Sequence, residues 1–475
     1  MARENMPRRT GLRLRPAEMR TLLMLVDLLL AYVALLAGLM IWASADPFLD
    51  FSAEFIERRV PTWFFFLPLL WLVALIDLYD PHRARSLLRV LRGVLVAGIL
   101  GVTGYALFFI AYPTPEFLPR LGVGYFLIGA ALLTLLWRLA FIRIFTDPAN
   151  LRRVLIVGAG KAGVTLAGVY RQITPPPFHL IGFIDDNPQK IGKEFHGSRV
   201  IAGSEQLFDV ISEYEISDLI VAISGEMRGE MFQNLLDAQE QGIEIMRMPR
   251  VYEELTGRVP IHHLESDWVL RSFVDEVRVS GFYEAAKRVM DVIFGVVGLV
   301  SFTVMFPFIA LAIFIDSGLP IFYKQNRLGR GGRQFMIYKL RTMRQDAEKD
   351  GSAKFATQND PRITRVGNFL RKTRLDEFPQ FINVIRGEMS LIGPRAERPE
   401  WVAHFEKSIP FYRARLLVKP GITGWAQVNY GYTDSEEDTA VKLEYDLYYI
   451  KYRNLLLDFL IISRTIGTML RFKGR

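Results

Sequence analysis

No cysteine occurs among the 475 residues, which excludes disulfide frameworks, zinc-thiolate sites and cysteine nucleophiles. No small-residue cleavage site follows the first apolar stretch, and the basic region ahead of it is long, so no signal peptide is expected. No nucleic-acid-binding motif stands out, and the cations and aromatics cluster near apolar segments. No nucleic-acid partner is therefore expected, and the net charge of +8 points to anionic lipid or polyphosphate groups.

What the chain does hold is apolar. Hydrophobic residues make up 51% and the mean hydropathy is +0.19, too high for a purely soluble enzyme. The length leaves room for about three domains. Four apolar stretches, near 21–42, 61–78, 90–112 and 121–144, approach the ~20 residues of a spanning helix. The second is short if Asp77 lies outside the hydrocarbon. Arg8, Arg9, Arg13, Arg15 and Arg20 precede the first stretch, Arg83, Arg85 and Arg89 follow the second, and Arg152 and Arg153 follow the fourth. By the positive-inside rule both ends of this four-helix transmembrane bundle, residues 1–148, face the cytoplasm. Asp27, Arg92 and Arg138 lie in or at the edges of the stretches, where snorkelling or helix–helix pairing is the expected use.

Residues 149–262 read as a Rossmann-like α/β domain. The run from Arg153 to Gly163 is a strand, a glycine turn and a helix start, with Gly158, Gly160 and Gly163 at G-x-G-x-x-G spacing. A second apolar run ends at Asp185, where a ribose hydroxyl would bind. The glycines let backbone approach a pyrophosphate at a helix N-terminus, so a nucleotide or dinucleotide is the candidate ligand. An unliganded domain used for assembly or sensing fits the same pattern. A Tyr-x-x-x-Lys at Tyr283 and Lys287 lies far past the glycine turn and is read as a chance match to the dehydrogenase pair.

After a linker, 263–282, comes the C-terminal α/β domain, 283–475. It opens on a fifth apolar segment, 289–315, basic on both flanks and interrupted by Pro307. Equal flanks give no preferred crossing direction, and proline removes a backbone hydrogen bond. A helix-break-helix that dips into the membrane and returns satisfies both; a kinked spanning helix is the alternative. Farther on, Trp401, Phe405, Phe411 and Tyr412 alternate with basic residues as in an interfacial segment, and 455–470 is a second such stretch. Packing inside the domain is the equal alternative for both.

The run 371–380 puts Asp376 and Glu377 directly after Arg371, Lys372 and Arg374. Pro379 and Gly387 bracket a short helix beyond. A carboxylate kept ionised by cations can attack phosphorus while its neighbour holds a metal. An ordinary capped helix with a solvated charged face fits these ten residues as well.

Six motifs occur in order: Tyr323–Gln325, Gly329–Gly332, Tyr338–Met343, the Asp376-Glu377 run, Gly387–Arg395 and Val418–Asn429. Together they resemble the bacterial sugar transferases, monotopic polyprenyl-phosphate sugar-phosphotransferases, and the two front domains resemble the large members. The resemblance implies transfer of a sugar 1-phosphate, glucose or galactose favoured, from a UDP-sugar to undecaprenyl phosphate. It implies UMP as by-product, Asp376 as nucleophile and Glu377 helping Asp376 hold Mg²⁺. Arg371 and Arg395 become the phosphate-gripping candidates. Lys419, Gln427 and Asn429 would line the substrate site, and Lys339 and Arg341 would meet substrate or lipid headgroups. It also implies a multi-pass protein of the bacterial cytoplasmic (inner) membrane, its catalytic domain on the cytoplasmic face and a homodimer in reach. Many members carry serine before the re-entrant proline where this chain has Phe306, which puts the break geometry in doubt. Two rivals are a membrane-bound NAD-dependent dehydratase or epimerase and a non-catalytic assembly scaffold.

Overall fold

The computed structural model describes residues 14, 16–111, 118–147, 150–223, 225, 227, 229–264, 280–344, 360–431 and 435–470. The basic tail at Arg8, Arg9, Arg13 and Arg15, and most of the expected linker, lie outside these. The chain divides into two compact units, Met1–Met246 and Arg247–Arg475.

In the first unit, three of the expected spans are long helices: α1 (Pro16–Ser44), α2 (Leu87–Ala111) and α3 (Arg120–Phe145). All three are long and apolar enough to cross a membrane. The expected second span differs. It is built from a 3-10 turn Thr62–Phe66, an eight-residue helix Leu67–Ala74 and another 3-10 turn Ile76–Tyr79. Pro61 and Pro68 cannot donate to a continuous ladder, and Pro68 fits only because it starts the middle piece. A bundle of four regular helices is thereby corrected to three plus a fragmented one. The fragment still packs inward: Phe64 and Trp71 are buried, and Trp71 Nε1 donates to Thr134 Oγ1 on α3 at 3.1 Å. Arg138 on α3 donates to Asp27 on α1 at 2.6 Å, both side chains fully buried. Helix–helix pairing is thus what these two charges do.

Beyond the bundle lies a six-stranded sheet: β1 (Arg153–Val157), β2 (His179–Ile184), β3 (Glu194–Phe195), β4 (Ser198–Ala202), β5 (Asp218–Val221) and β6 (Glu244–Arg247), in spatial order β3-β4-β2-β1-β5-β6. β1 pairs in parallel with β2 and β5. Four consecutive buried residues in β1, Val154 to Val157, are what a strand covered on both faces requires. The helix α4 (Lys161–Arg171) follows the glycine turn, as in a Rossmann domain.

The second unit begins earlier than the expected boundary at 262. The helix α5 (Met248–Thr256) packs on the C-terminal domain through Glu253, which accepts from Lys451 at 3.0 Å and Tyr452 at 2.5 Å. Trp425 Nε1 also donates to Gly257 O at 2.8 Å.

The long apolar segment is one continuous helix, α6 (Gly281–Ser317), running through Pro307 without the expected nonhelical break. Val292, Val296, Val300, Val304, Phe308, Leu311 and Ile315 form an exposed stripe along it, each at least 36% accessible. Both ends are tied into the same unit. Near the start, Arg288 donates to Val384 O and Ile385 O at 2.8 and 2.7 Å, and Asp291 accepts from Ser390 and Leu391 at 2.9 Å. At the end, Asp316 accepts from Val366 N at 3.0 Å. Phe306 fills its position as an aromatic, stacked on Phe322 at 5.2 Å and beside Phe302 at 5.3 Å.

The remaining elements include a hairpin, β7 (Phe322–Leu328) and β8 (Gln334–Leu340); α7 (Arg365–Thr373); α8 (Phe381–Arg386); a parallel pair, β9 (Ser390–Ile392) and β10 (Gly421–Thr423); and α9 (Trp425–Asn429), α10 (Glu436–Tyr452) and α11 (Leu455–Leu470). The interfacial expectation needs trimming here. Phe405 and Tyr412 are buried core residues with rings 5.4 Å apart, and Trp401 stacks on Phe405 at 5.7 Å. On α11, Asp458 and Ile461 are fully buried while Leu456, Phe459 and Ile466 stay exposed.

Candidate active site

Asp376 and Glu377 lie on a 3-10 turn, Leu375–Gln380, between α7 and α8. Arg374 makes the corner. It adopts a left-handed conformation, φ 61° and ψ 14°, and so ends α7 and starts the turn in one residue. A non-glycine residue held there is strained, and such strain gathers at functional sites. Gly387, also left-handed, ends α8.

Both carboxylates are buried, at 8% and 4% exposure. Glu377 is the hub: Oε1 accepts from Lys339 Nζ at 3.0 Å and Arg395 Nη2 at 2.7 Å, and Arg374 Nη1 lies 3.5 Å from Oε2. Burial alone would raise its pKa, but Arg395, Lys339 and Arg374 together hold it well below the usual carboxylate range. Asp376 moves the other way. Burial first, then the charge of Glu377, push it up to about 6 against Lys339, Arg371 and Arg374. Its Oδ1 is buried without a hydrogen-bond partner among the described residues, and so is Arg371 Nη1. Four cations thus surround two carboxylates, an excess of two positive charges when both acids are ionised. The acids are buried and the cations half-buried, and an excess of that kind is complementary to an anion.

Of the residues singled out from sequence, Arg371, Lys339 and Arg395 share this cluster with the two acids. Arg341, the first residue past the end of β8, does not bond to it. It donates to Ser317 O at 2.8 Å and so caps the end of α6. Lys419 sits at the far end of α8, where a methyl on Gly387 would lie 3.5 Å from its Nζ and 3.6 Å from Arg288. Burial and then Arg288 lower its pKa. Gln427 donates to Ile422 O at 3.1 Å and braces its own loop, and Asn429 accepts from Arg464 at 2.6 Å and ties that loop to α11. The motif glycines do similar work. A Cβ on Gly421 would fall 2.1 Å from Gly393 N, and one on Gly424 2.2 Å from Gly393 O, so the β9–β10 approach tolerates no side chain. Arg374 was not singled out as a site residue; its place in the basic run was the only signal.

In the first unit the glycine turn has dinucleotide-type geometry. Gly158 has φ +104°, and a Cβ on Gly163 would sit 2.0 Å from Gly158 O, the tight helix–strand contact the third glycine allows. Nothing lies within 4 Å of a Cβ position on Gly160. Asp185, however, already accepts from Ala159 N at 2.8 Å, Asn187 N at 3.0 Å and Lys190 Nζ at 2.9 Å. A ribose there would have to share the carboxylate with Lys190.

Comparison with known proteins joins this geometry to a family. The bacterial sugar transferase pattern matches residues 282–472, and a CoA-binding domain pattern matches 74–249. A UDP-glucose:undecaprenyl-phosphate glucose-1-phosphate transferase of Xanthomonas campestris pv. campestris is 30% identical over 411 residues, 82% of each chain. The protein of the same description in Escherichia coli (strain K12) is 33% identical over 343 residues, 68% of each. The chain belongs to the bacterial sugar transferases. A third relative, the UDP-N-acetylgalactosamine-undecaprenyl-phosphate N-acetylgalactosaminephosphotransferase of Aeromonas hydrophila, is 42% identical over 245 residues, 52% of this chain and 56% of that protein. As a sugar transferase of this group the chain is a phosphoglycosyl transferase. The dehydratase reading also loses its residues, because Tyr283 and Lys287 both bind Asp458 Oδ2 on α11, at 2.9 and 3.1 Å.

Proposed function

We propose that this sugar transferase moves a hexose 1-phosphate from a UDP-sugar to undecaprenyl phosphate in two steps through Asp376. The observation that carries the reading is Asp376 Oδ1, buried, unpartnered and set beside an excess of cations. In the first step Oδ1 forms a bond to the sugar-proximal phosphorus, and the bond from that phosphorus to UMP breaks. In the second, an oxygen of the lipid phosphate forms the new bond and the aspartyl carboxylate leaves. Charge is conserved in both steps, and no net proton moves. A carboxylate nucleophile divides one exchange between two anions into two easier displacements. Lys339, Arg371, Arg374 and Arg395 offset the repulsion at each stage.

Mg²⁺ fits the same residues. This cation is usually held by one or two carboxylates plus substrate phosphates, so a cluster of three acids is not required. One oxygen of Asp376 would bind the metal while Oδ1 is kept for phosphorus, and Glu377 would release one of its cations to become the second ligand. The metal would supply further neutralisation of the diphosphate.

The membrane placement follows from α6. A straight 37-residue helix is about 55 Å long, yet it is bonded into one folded unit at Arg288, near its start, and at Asp316, near its end. A continuous helix bent at Pro307, so that it enters and returns on one face, accommodates this; a straight crossing helix would separate those anchors. The catalytic unit then lies on the cytoplasmic face of the inner membrane. The donor is UDP-glucose or UDP-galactose in our reading. The Aeromonas relative makes UDP-N-acetylgalactosamine the alternative to test beside them.

The test is UMP release by purified full-length protein with undecaprenyl phosphate, Mg²⁺ and each UDP-sugar in turn, wild type beside Asp376→Asn. One donor should give UMP, and the variant should lose it by roughly 10³-fold or more while remaining membrane-inserted. Wild-type-like turnover in the variant would end the proposal.

A further inference from the structure

The proposed reaction uses Asp376 Oδ1 and Arg371 Nη1, but a third buried atom within the same ten residues is also without a partner. Gln380 is 4% exposed, and its Nε2 makes no hydrogen bond among the described residues. An amide donor removed from water and left unpaired is costly, and native proteins retain few of them without a reason. Its position supplies one. Leu375–Gln380 is a 3-10 turn, in which side chains at i and i+3 eclipse about 6 Å apart along the axis. That spacing puts Gln380 on the same face of the turn as Glu377, the hub of the cation cluster. The next polar side chain along, Asn383, is already committed: its Nδ2 donates to Met336 O at 2.8 Å and to Glu388 at 2.7 Å. Of these two amides, Gln380 is the one whose donor is uncommitted among the described residues.

We propose that Gln380 is a substrate-contacting residue whose side-chain amide donates to a nonbridging phosphoryl oxygen while the phosphosugar is being passed on to and off Asp376. Phosphorus bonds directly to the aspartyl oxygen, so its own oxygens are the nearest acceptors. The inference rests on the two-step reading above and extends it. UMP has left before the second step, and the lipid has not arrived in the first. The phosphosugar is common to both, so a donor aimed at it acts in both.

The test uses full-length enzyme in lipid nanodiscs. Exchange of labelled UMP into UDP-sugar without lipid acceptor reports the first step, and product formed with undecaprenyl phosphate reports the second. Rates are referred to the amount of protein that can be labelled with phosphosugar. Gln380→Leu removes the donor at nearly constant volume. It should slow both steps by a similar factor, roughly tenfold to a hundredfold, the range for a hydrogen bond to a charged group. Its melting temperature should stay level or rise, because an unpaired buried amide has been replaced by an apolar group. A purely structural glutamine would give the reverse, a lower melting temperature with unchanged rate per labelled site, and would overturn the proposal. Gln380→Glu, which keeps the shape and adds negative charge, should be slower than Gln380→Leu. A loss confined to one donor sugar would move the contact to a sugar hydroxyl and also overturn it. Absence of UMP exchange in the wild type would defeat the two-step reading itself, whereas normal exchange in both variants would defeat only the role of Gln380.

Discussion

Two buried clusters of acid and base stand in the two units, and they are built on opposite plans. In the bundle, Asp27 meets Arg138 one to one, 2.6 Å apart with both side chains sealed from solvent. Arg138 also donates to Leu78 O at 3.2 Å and lies over the Tyr79 ring. In the catalytic unit two carboxylates meet four cations. Both clusters leave buried atoms unbonded among the described residues, Asp27 Oδ1 and Arg138 Nε in one, Asp376 Oδ1 and Arg371 Nη1 in the other, so the charge count is what differs. A balanced pair holds helices together and leaves no net charge to attract an anion. An unbalanced one is incomplete without an anion. Both look alike in the sequence, as isolated charges among apolar residues; only the count of partners separates a staple from a site.

The widest separation between the two plans should come from Glu377→Gln. It removes the hub of the cations, so turnover should fall by about 10²–10³-fold, the range for a lost preorganised electrostatic group. It should also move the pH profile. Asp376 is raised to about 6 partly by Glu377, so in wild type kcat/KM should fall as pH drops through that region, where the nucleophile becomes protonated. Without the negative neighbour Asp376 ionises more readily, and the acid limb should shift to lower pH. A limb that stays put or moves up would mean that the two carboxylates are not coupled as described.

The balanced pair should answer differently. Asp27→Leu leaves Arg138 buried and unpaired, a loss of about 3 kcal/mol or more in folded stability. Combining it with Arg138→Met should recover most of the loss, because replacing both partners by apolar groups is close to neutral. Transferase activity per folded molecule should be unchanged in the double variant, measured as UMP release beside a thermal melt. A double variant that folds but is inactive would make the pair part of the chemistry and end the contrast.

The sequence shows where length and period decide the outcome. Three spans and the strand–turn–helix of the Rossmann domain follow from runs of apolar residues and the spacing of Gly158, Gly160 and Gly163. The fragmented span followed less well, since hydropathy averages over Pro61 and Pro68 while hydrogen bonding does not. The acids of the site were legible from their motif. Lys339 and Arg341 are not separable by residue type or spacing, and only tertiary structure brings Glu377 to Lys339 on β8 and the end of α6 to Arg341 just past it. Arg374 was hidden for a related reason: nothing in an arginine's identity announces a left-handed backbone.

Asp458 on α11 offers the mildest and finest test, because it lies between the two plans. Its carboxylate accepts from one cation, Lys287, and from two phenols, Tyr283 and Tyr449, at 3.1, 2.9 and 2.9 Å. One charge against one charge is a balanced count, so this cluster should behave as a staple although it belongs to the catalytic unit. Tyr283→Phe keeps the ring and deletes a single hydrogen bond to a charged group, which costs about 1.5 kcal/mol. A lower melting temperature with an unchanged rate of UMP release is the expected result. A rate that falls at constant melting temperature would show that Tyr283 takes part in chemistry after all, and charge balance would no longer tell a staple from a site.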